Sequence, residues 1–420
     1  MEGQFLGGAA EIGRSAVLVD GRLLLDYGMA ADSPPRYPVT PAGFDPEAVV
    51  VSHGHLDHAG AVPALLSGED RPEVHWTPPT RDLTRVLARD TLKLHGSTPQ
   101  CPFTELDVQR TGEVSRVHGY REPFRVCGGP ADGGYEVTLY DAGHIPGSAH
   151  VLVDDGETRL LYTGDFHTDD QRLVAGTTAR PGADAVVCES TYATDHHEDR
   201  AAVGERFLER LRTTVWEGGT VVVPAFAIGR TQEVMLVCAA GDVNCYVDGM
   251  GQRVTRLLRG HPDFLRDADA LARAASNARN VDGRDGQRRR IAADNAVIIT
   301  TSGMLSGGPA MTYLPEIYDH PVNTVALTGY QVEGTPGREL LDTGSTEIDG
   351  RVLPVSATVD LFNFSAHADR DGLESFLGAY RDARVVLNHG DDPAGFAADL
   401  RADGYDAEAA ELGGRIQVGE

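Results

Sequence analysis

The tightest constraint on this chain is the run Ser52-His53-Gly54-His55-Leu56-Asp57-His58. It sets three imidazoles and a carboxylate within six residues, directly behind the apolar stretch Ala48-Val49-Val50-Val51. Imidazole and carboxylate together suit zinc and similar divalent cations of borderline softness. A tight loop behind a strand points His53 and His55 one way and Asp57 and His58 another, so one loop serves two metals. Two ions ~3.5–4 Å apart need about seven or eight ligands and a bridging group, more than one loop holds. The fold must therefore deliver other strand ends to the same place. Candidates are His144 in Ala142-Gly143-His144-Ile145-Pro146-Gly147-Ser148, Asp165 in Tyr162-Thr163-Gly164-Asp165, and His389 in Leu387-Asn388-His389-Gly390. Each follows an apolar run. His75, His95, His118, His196, His197, His261 and His320 fit no such pattern and are expected at the surface.

Apolar runs at Ala16–Val19, Leu23–Leu25, Val137–Tyr140, His150–Val153, Arg159–Tyr162 and Ala185–Cys188 read as strands, several ending in a polar residue. Open sheets present their ligand groups at such carboxyl ends. Ala59 to Leu66 has helical character. After Glu189 the pattern changes. Amphipathic helices are expected over Arg200–Trp216 and about Arg230–Ala240, alternating with strands at Thr220–Val223, Val297–Thr300 and Thr324–Leu327. That alternation predicts a second α/β unit with a mostly parallel sheet. The charged stretch Asp282–Arg290 is expected to be a loop. Histidine-rich chemistry stops at His197 and resumes at His367, so the middle of the chain reads as an insertion into one catalytic domain.

Charge narrows the function classes. The 420 residues carry 63 Asp plus Glu against 37 Lys plus Arg, a formal charge of -26, and Lys93 is the single lysine. Such a surface suits a cytoplasm of high ionic strength, where salt screens repulsion within a few ångströms. It weighs against a nucleic-acid binder. No apolar run approaches the ~18–20 residues that span a bilayer. The start, Met1-Glu2-Gly3-Gln4-Phe5-Leu6, lacks a basic region ahead of a long apolar one, so the cytoplasm is the expected compartment. Cys101, Cys127, Cys188, Cys238 and Cys245 form no C-x-x-C pair and are expected to be buried free thiols.

With H-x-H-x-D-H, a later His and a later Asp, the chain resembles the metallo-β-lactamase fold, a four-layered αβ/βα sandwich. Further motifs narrow the likeness. They are Cys188-Glu189-Ser190-Thr191-Tyr192, Pro224-Ala225-Phe226-Ala227-Ile228-Gly229-Arg230, Ser302-Gly303-Met304, Gly329-Tyr330-Gln331, Gly334-Thr335-Pro336-Gly337-Arg338 and Phe364-Ser365-Ala366-His367-Ala368-Asp369. These resemble the β-CASP nucleases, which include ribonuclease J and the nuclease subunit of the cleavage and polyadenylation specificity factor. The opening Gly7-Gly8-Ala9-Ala10-Glu11-Ile12-Gly13-Arg14-Ser15 is similar to the latter branch. The resemblance implies a metallo-β-lactamase domain in two parts, 1–193 and 364–420, with an α/β β-CASP domain, 194–363, inserted. Archaeal processing nucleases often carry N-terminal KH domains. Here the motifs begin at Gly7, so the likeness is to a KH-less homologue, with RNA positioned by the catalytic fold. About 30 residues follow His389, which leaves a homodimer or a processing-complex partner open.

By that resemblance two zinc ions are expected per chain. His53, His55, His144 and Asp165 would hold one, and Asp57, His58, Asp165 and His389 the other, with Asp165 bridging. Asp26 matches the aspartate that steadies the loop. Glu189, His367 and His389 match the three β-CASP motifs, and His at the third goes with RNA substrates. Two cations lower the pKa of a bridging water, and His367, oriented by Glu189, is a suitable proton donor to the leaving oxygen. Arg230, Ser302 and Arg338 are expected at flanking phosphates. The function implied is a zinc-dependent ribonuclease acting in RNA 3′-end processing or decay, as an endonuclease in the favoured reading or a 5′–3′ exonuclease of the ribonuclease J type. A small-molecule hydrolase, thioesterase or lactonase, explains H-x-H-x-D-H but not the insertion or Ser365-Ala366-His367. A degenerate non-catalytic subunit should have lost ligands that are all present here.

Overall fold

The structure, a computed structural model, describes residues 1–31, 34–98, 100–128, 133–348 and 350–419. They form two compact units: residues 1–170, 175–196 and 367–420, and residues 171–174 with 197–366.

The first unit opens with strands Glu2–Gly7 (β1), Ala16–Val19 (β2), Leu23–Leu25 (β3), Ala48–Val50 (β4), Glu73–Trp76 (β5) and Ser115–Val117 (β6). A second set follows: Phe124–Val126 (β7), Tyr135–Asp141 (β8), Ala149–Asp154 (β9), Arg159–Tyr162 (β10) and Ala185–Glu189 (β11). In chain order the second unit then contributes Val221–Pro224 (β12), Tyr246–Asp248 (β13), Arg279–Asn280 (β14), Val297–Thr300 (β15), Thr324–Leu327 (β16), the hairpin Ser345–Ile348 and Arg351–Pro354 (β17, β18), and Thr358–Leu361 (β19). The chain returns to the first unit with Arg384–Asn388 (β20), Asp406–Ala409 (β21) and Arg415–Gln417 (β22).

Two sheets result in the first unit, ordered β22-β1-β2-β3-β4-β5-β6 and β21-β20-β11-β10-β9-β8-β7. The inner strands β2, β3, β4, β10, β11 and β20 are buried on both faces, whereas outer strands such as β6 and β22 are partly exposed. The period of two divides the inner side chains between three layers of core. Val17, Val19, Leu25 and Val50 face Val137, Val151, Leu160 and Val187 of the other sheet. The intervening Leu18, Leu24 and Val49 point outward to Tyr27, Val62 and Leu66. On the far side Leu161, Val186, Val385 and Leu387 lie beneath helices Arg370–Leu377 and Pro393–Ala402, through Leu373, Phe376, Phe396 and Leu400. This is the αβ/βα sandwich the sequence implied. The helical character expected at Ala59–Leu66 resolves into a one-turn α-helix, Leu56–Ala59, and a 3-10 turn, Val62–Leu66, with Pro63 near its start.

The second unit is an α/β layer whose sheet, β14-β13-β15-β12-β16-β19, is parallel throughout. Helices Arg200–Trp216 and Arg230–Ala240 form as expected. One expectation is corrected. Asp285–Ala292 is a helix, not a loop. Its final residues Ile291 and Ala292 are buried in the unit's core, and the Arg288 guanidinium pairs with buried Asp248 at 2.7 Å. Two anchors hold what an isolated eight-residue helix could not. Residues 171–174 belong here because the Glu233 carboxylate accepts the N–H groups of Arg172 and Leu173 at 3.0 and 2.8 Å and pairs with Arg200 at 3.2 Å. Three of the five free cysteines, Cys188, Cys238 and Cys245, are buried, whereas Cys101 and Cys127 are half-buried.

Phe376 lies against Phe166 and His150, with centroids 4.4 and 5.2 Å away, and carries the Arg180 guanidinium over its ring. Phe376→Ala should destabilise the chain by about 3–5 kcal/mol. Trp216, 86% exposed, should be replaceable by Ala within about 0.5 kcal/mol. Urea denaturation of both variants checks the contrast; equal losses would contradict it.

Candidate metal centre

Most of the chemically marked side chains of the first unit stand at or soon after the carboxyl end of a strand. His53 and His55 follow β4, whereas Asp57 and His58 sit on the helix Leu56–Ala59. The backbone turns between the two pairs, which sends them in different directions. Asp165 follows β10, Glu189 ends β11, His389 follows β20 and His144 follows β8. Glu189 and Asn388 are partners in the parallel β11–β20 register, so Glu189 and His389 emerge at one level. Gly28 permits a close approach: a Cβ there would run into the Asp57 carbonyl.

Two sets of donors gather there, each with its ligand atoms within 4.8 Å of one another. One set is His53, His55, His144 and Asp165; the other is Asp57, His58, Asp165 and His389. The Asp165 carboxylate belongs to both. Its Oδ2 lies 3.5 Å from His53 Nε2 and 3.9 Å from His144 Nε2, and its Oδ1 lies 3.2 Å from His58 Nε2 and 3.6 Å from His389 Nε2. His389 Nε2 is also 3.6 Å from Asp57 Oδ2.

Supporting contacts fix these rings from behind. His58 Nδ1 donates to Asp26 Oδ2 at 2.6 Å, which leaves Nε2 to face Asp165. Asp26 is held in turn by the Ser52 N–H, the Ser52 hydroxyl and the Tyr162 hydroxyl at 2.6, 2.7 and 2.8 Å. Asp26 has φ 59° and His389 φ 49°, a left-handed backbone uncommon for residues other than glycine. The Ser15 hydroxyl meets His389 Nδ1 at 2.9 Å. Ser15, Ser52 and Tyr162 had no assigned role in the sequence reading. Ser52 adjoins His53 and Ser15 closes the opening motif, but only the fold reveals what they touch.

Electrostatics follow from this crowding. Burial, reinforced by the neighbouring His58, holds His53 well below the ordinary imidazole range, and burial also lowers His55. Burial opposes charge on His58 too, but the carboxylates of Asp165 and Asp26 outweigh it and raise that ring well above 6.5. Burial alone would push the Asp165 carboxyl up, yet the surrounding imidazoles, His58 first, carry it well below the usual carboxylate range. His53 Nε2, His58 Nε2, His389 Nε2 and Asp165 Oδ1 are buried with no hydrogen-bond partner. Buried polar atoms left so are costly, and a borderline divalent cation is the species that would satisfy nitrogen and oxygen at one point.

His367 stands beside this cluster. Its Nδ1 is 3.1 Å from Glu189 Oε2 and 3.9 Å from Asp165 Oδ2, and its side chain is 21% exposed. Burial works against its charged form, but Glu189 and Asp165 more than offset that, and its pKa is raised to about 9. Glu189 Oε1 also accepts the Phe166 N–H at 2.7 Å. The three residues expected at phosphates lie in the second unit. Arg230 begins a helix, Arg338 is exposed and paired with Asp342 at 2.8 Å, and Ser302 follows β15 with its hydroxyl buried. Among the histidines expected at the surface, His75 is a correction. It lies on β5 between buried Val74 and Trp76, its ring stacks on His118 and Phe124, and burial lowers its pKa to about 3.

Residues 11–191 match the metallo-beta-lactamase superfamily, 233–340 the Beta-Casp domain and 352–410 the Zn-dependent metallo-hydrolase RNA specificity domain. A relative from Saccharolobus solfataricus named "RNase aCSPSF2" is 35% identical over 408 residues, spanning 94% of this chain and 81% of the relative. "Probable RNase MJ4" of Methanocaldococcus jannaschii is 31% identical over the full length of both chains. "Transcription termination factor FttA" of Methanosarcina mazei is 31% identical over 95% of this chain and 68% of the relative. The chain belongs to the metallo-β-lactamase-fold β-CASP nucleases, metal-dependent ribonucleases, and within them to the archaeal type related to the cleavage and polyadenylation specificity factor.

Proposed function

We propose that the chain is a zinc-dependent ribonuclease that hydrolyses RNA phosphodiester bonds, with endonucleolytic cleavage as its main mode, in RNA 3′-end processing, decay or transcription termination. The observation that carries this reading is the pair of four-residue donor sets sharing Asp165, in a chain whose relatives are named as ribonucleases and a termination factor. His53, His55, His144 and Asp165 would hold one zinc, and Asp57, His58, Asp165 and His389 the other. When bound, the two ions would supply a water of lowered pKa and positive charge beside the scissile phosphate.

The chain's own residues do the rest. Asp26 accepts the His58 Nδ1–H and keeps that ring's free nitrogen turned inward. Glu189 orients His367 and favours its protonated form, and that imidazolium gives its proton to the departing 3′-oxygen. Arg230 and Ser302 bind flanking phosphate oxygens, and Arg338 joins them by exchanging Asp342 for phosphate. We place the protein in a cytoplasm of high ionic strength, given its charge of -26. No helix among the described residues is long and apolar enough to cross a membrane.

Elemental analysis of the purified chain should find about two zinc per molecule; a single iron, or no metal, would remove the basis of this reading. Asp26→Ala should weaken metal binding by roughly 10–100-fold, measured by competition with a chromophoric chelator, because the ligand rings lose their orientation.

His367→Ala should keep both metals while slowing RNA cleavage by roughly 10²–10⁴-fold. A bridging 3′-phosphorothioate substrate, whose leaving group needs no proton, should recover much of that loss. No recovery would end the proton-donor assignment. Circular RNA cleaved in high salt supports the endonuclease; strict dependence on a 5′ end favours the exonuclease.

A further inference from the structure

The second unit carries a feature that the hydrolytic chemistry does not use. Large aromatic side chains are seldom left in water, because burial of their wide apolar faces is favourable. Yet Phe226 is 37% exposed and Tyr330 41%. Phe226 stands two residues past the end of β12 and Tyr330 three past the end of β16, and these strands are parallel neighbours. The rings therefore sit on adjacent loops at the carboxyl edge of the sheet, where open α/β sheets bind their ligands.

These loops are tied together. The Thr328 hydroxyl donates to the Pro224 carbonyl at 2.9 Å, linking the two strand ends. The Gln331 side-chain amide donates to the carbonyls of Gly303, Gly329 and Tyr330 at 3.2, 3.0 and 3.2 Å, which joins the loop after β16 to the loop after β15. A Cβ on Gly303 would lie 2.9 Å from the Phe226 nitrogen and 3.2 Å from its ring. Only glycine leaves room for that backbone under the phenyl edge. Groups suited to phosphate adjoin the rings. The Arg230 guanidinium lies close to Gly329, 3.7 Å from where a Cβ would stand. The buried Ser302 hydroxyl has no hydrogen-bond partner.

We infer that this carboxyl edge is a nucleobase-binding platform, on which the exposed rings of Phe226 and Tyr330 stack bases of single-stranded RNA. Stacking is sequence-tolerant, because every base has a π-face. It is also the kind of contact a chain of charge -26 needs. Long-range attraction for phosphate is weak here, so affinity must come from short-range contacts that salt does not screen. The inference rests on RNA being the substrate, and its test separates the two claims.

The probe is a 12-nucleotide fluorescent single-stranded RNA, with a second series carrying one abasic ribose at successive positions. The protein is the full-length, metal-loaded chain bearing His367→Ala, which keeps the RNA intact during anisotropy measurements. Phe226→Ala and Tyr330→Ala should each weaken binding roughly 5- to 150-fold, which corresponds to ~1–3 kcal/mol per stacked base. Phe226→Tyr and Tyr330→Phe should retain affinity. An abasic ribose at the stacked position should weaken binding by the unaltered platform by a similar factor, and binding by the matching alanine variant hardly at all. The abasic arm needs no platform variant, so a misfolded alanine variant leaves the proposal falsifiable.

If RNA binds tightly but neither abasic nor alanine substitution matters, the platform is wrong and the ribonuclease reading stands. Platform-dependent binding by a wild-type chain that cuts no RNA retains the platform and removes the ribonuclease. If the alanine variants instead turn a dimer into a monomer with RNA affinity untouched, the patch is an interface between copies and the inference falls.

Discussion

The Asp165 carboxylate, fully buried and ringed by His53, His58, His144, His367 and His389, is the constraint around which the first unit is arranged. An isolated buried carboxylate is expensive, and so is a cluster of buried imidazoles. Each makes the other tolerable, but only if the donors come from strands far apart in sequence. The sandwich supplies that. β4 of one sheet and β8, β10, β11 and β20 of the other end at the same place, and the parallel β10–β11–β20 register aligns three of those ends. The interior between the sheets, with Val17, Val50, Val151, Leu160 and Val187, is what holds those ends in fixed relation. Core packing and site geometry are here one requirement.

Much of this was legible in the sequence because the signal is local. An apolar run that stops at a polar residue reveals both a strand and the group it presents, and β3, β15 and β16 have the bounds that their apolar runs mark. What stayed hidden depends on partners distant in the chain. The helix Asp285–Ala292 looks like a charged loop because its stabilising contacts, Asp248 and the core around Ile291, are invisible from its own composition. His75 looks like a surface residue because nothing near it in sequence announces His118 and Phe124. The roles of Ser15 and Tyr162 were illegible for the same reason. Their partners, His389 and Asp26, lie 374 and 136 residues away. The membership of residues 171–174 in the second unit likewise turns on Glu233, some 60 residues on.

His389 and His367 show how one residue type is held in two ways. His389 is fully buried, its Nδ1 occupied by Ser15 and its Nε2 turned to Asp57 and Asp165 without a hydrogen-bond partner. A ring so held presents Nε2 in one fixed direction, which suits coordination. His367 keeps part of its side chain in solvent and faces Glu189 through Nδ1. That carboxylate favours the charged ring, which suits a group that must carry a proton and then recover one. The proposed division of labour thus follows from what each ring touches, not from residue type.

The acidity of the chain remains to be reconciled with an anionic substrate. A formal charge of -26 repels RNA at a distance, but in ~1 M salt the Debye length is about 3 Å and that repulsion is felt only at contact. Within that range local composition decides. The metal-directed cluster gathers five imidazoles around Asp165 and becomes more positive on binding cations. The edge of the second unit's sheet offers Arg230, the Ser302 hydroxyl and two exposed rings. Lysine-rich surfaces draw nucleic acid through counterion release, and that advantage declines as salt rises. Stacking and coordination keep their strength, so a chain with one lysine loses little where salt is high. At that salt concentration the same screening would make the acidic surface tolerable to the fold itself: carboxylates more than a few ångströms apart would no longer repel, and they would keep the protein hydrated where salt competes for water.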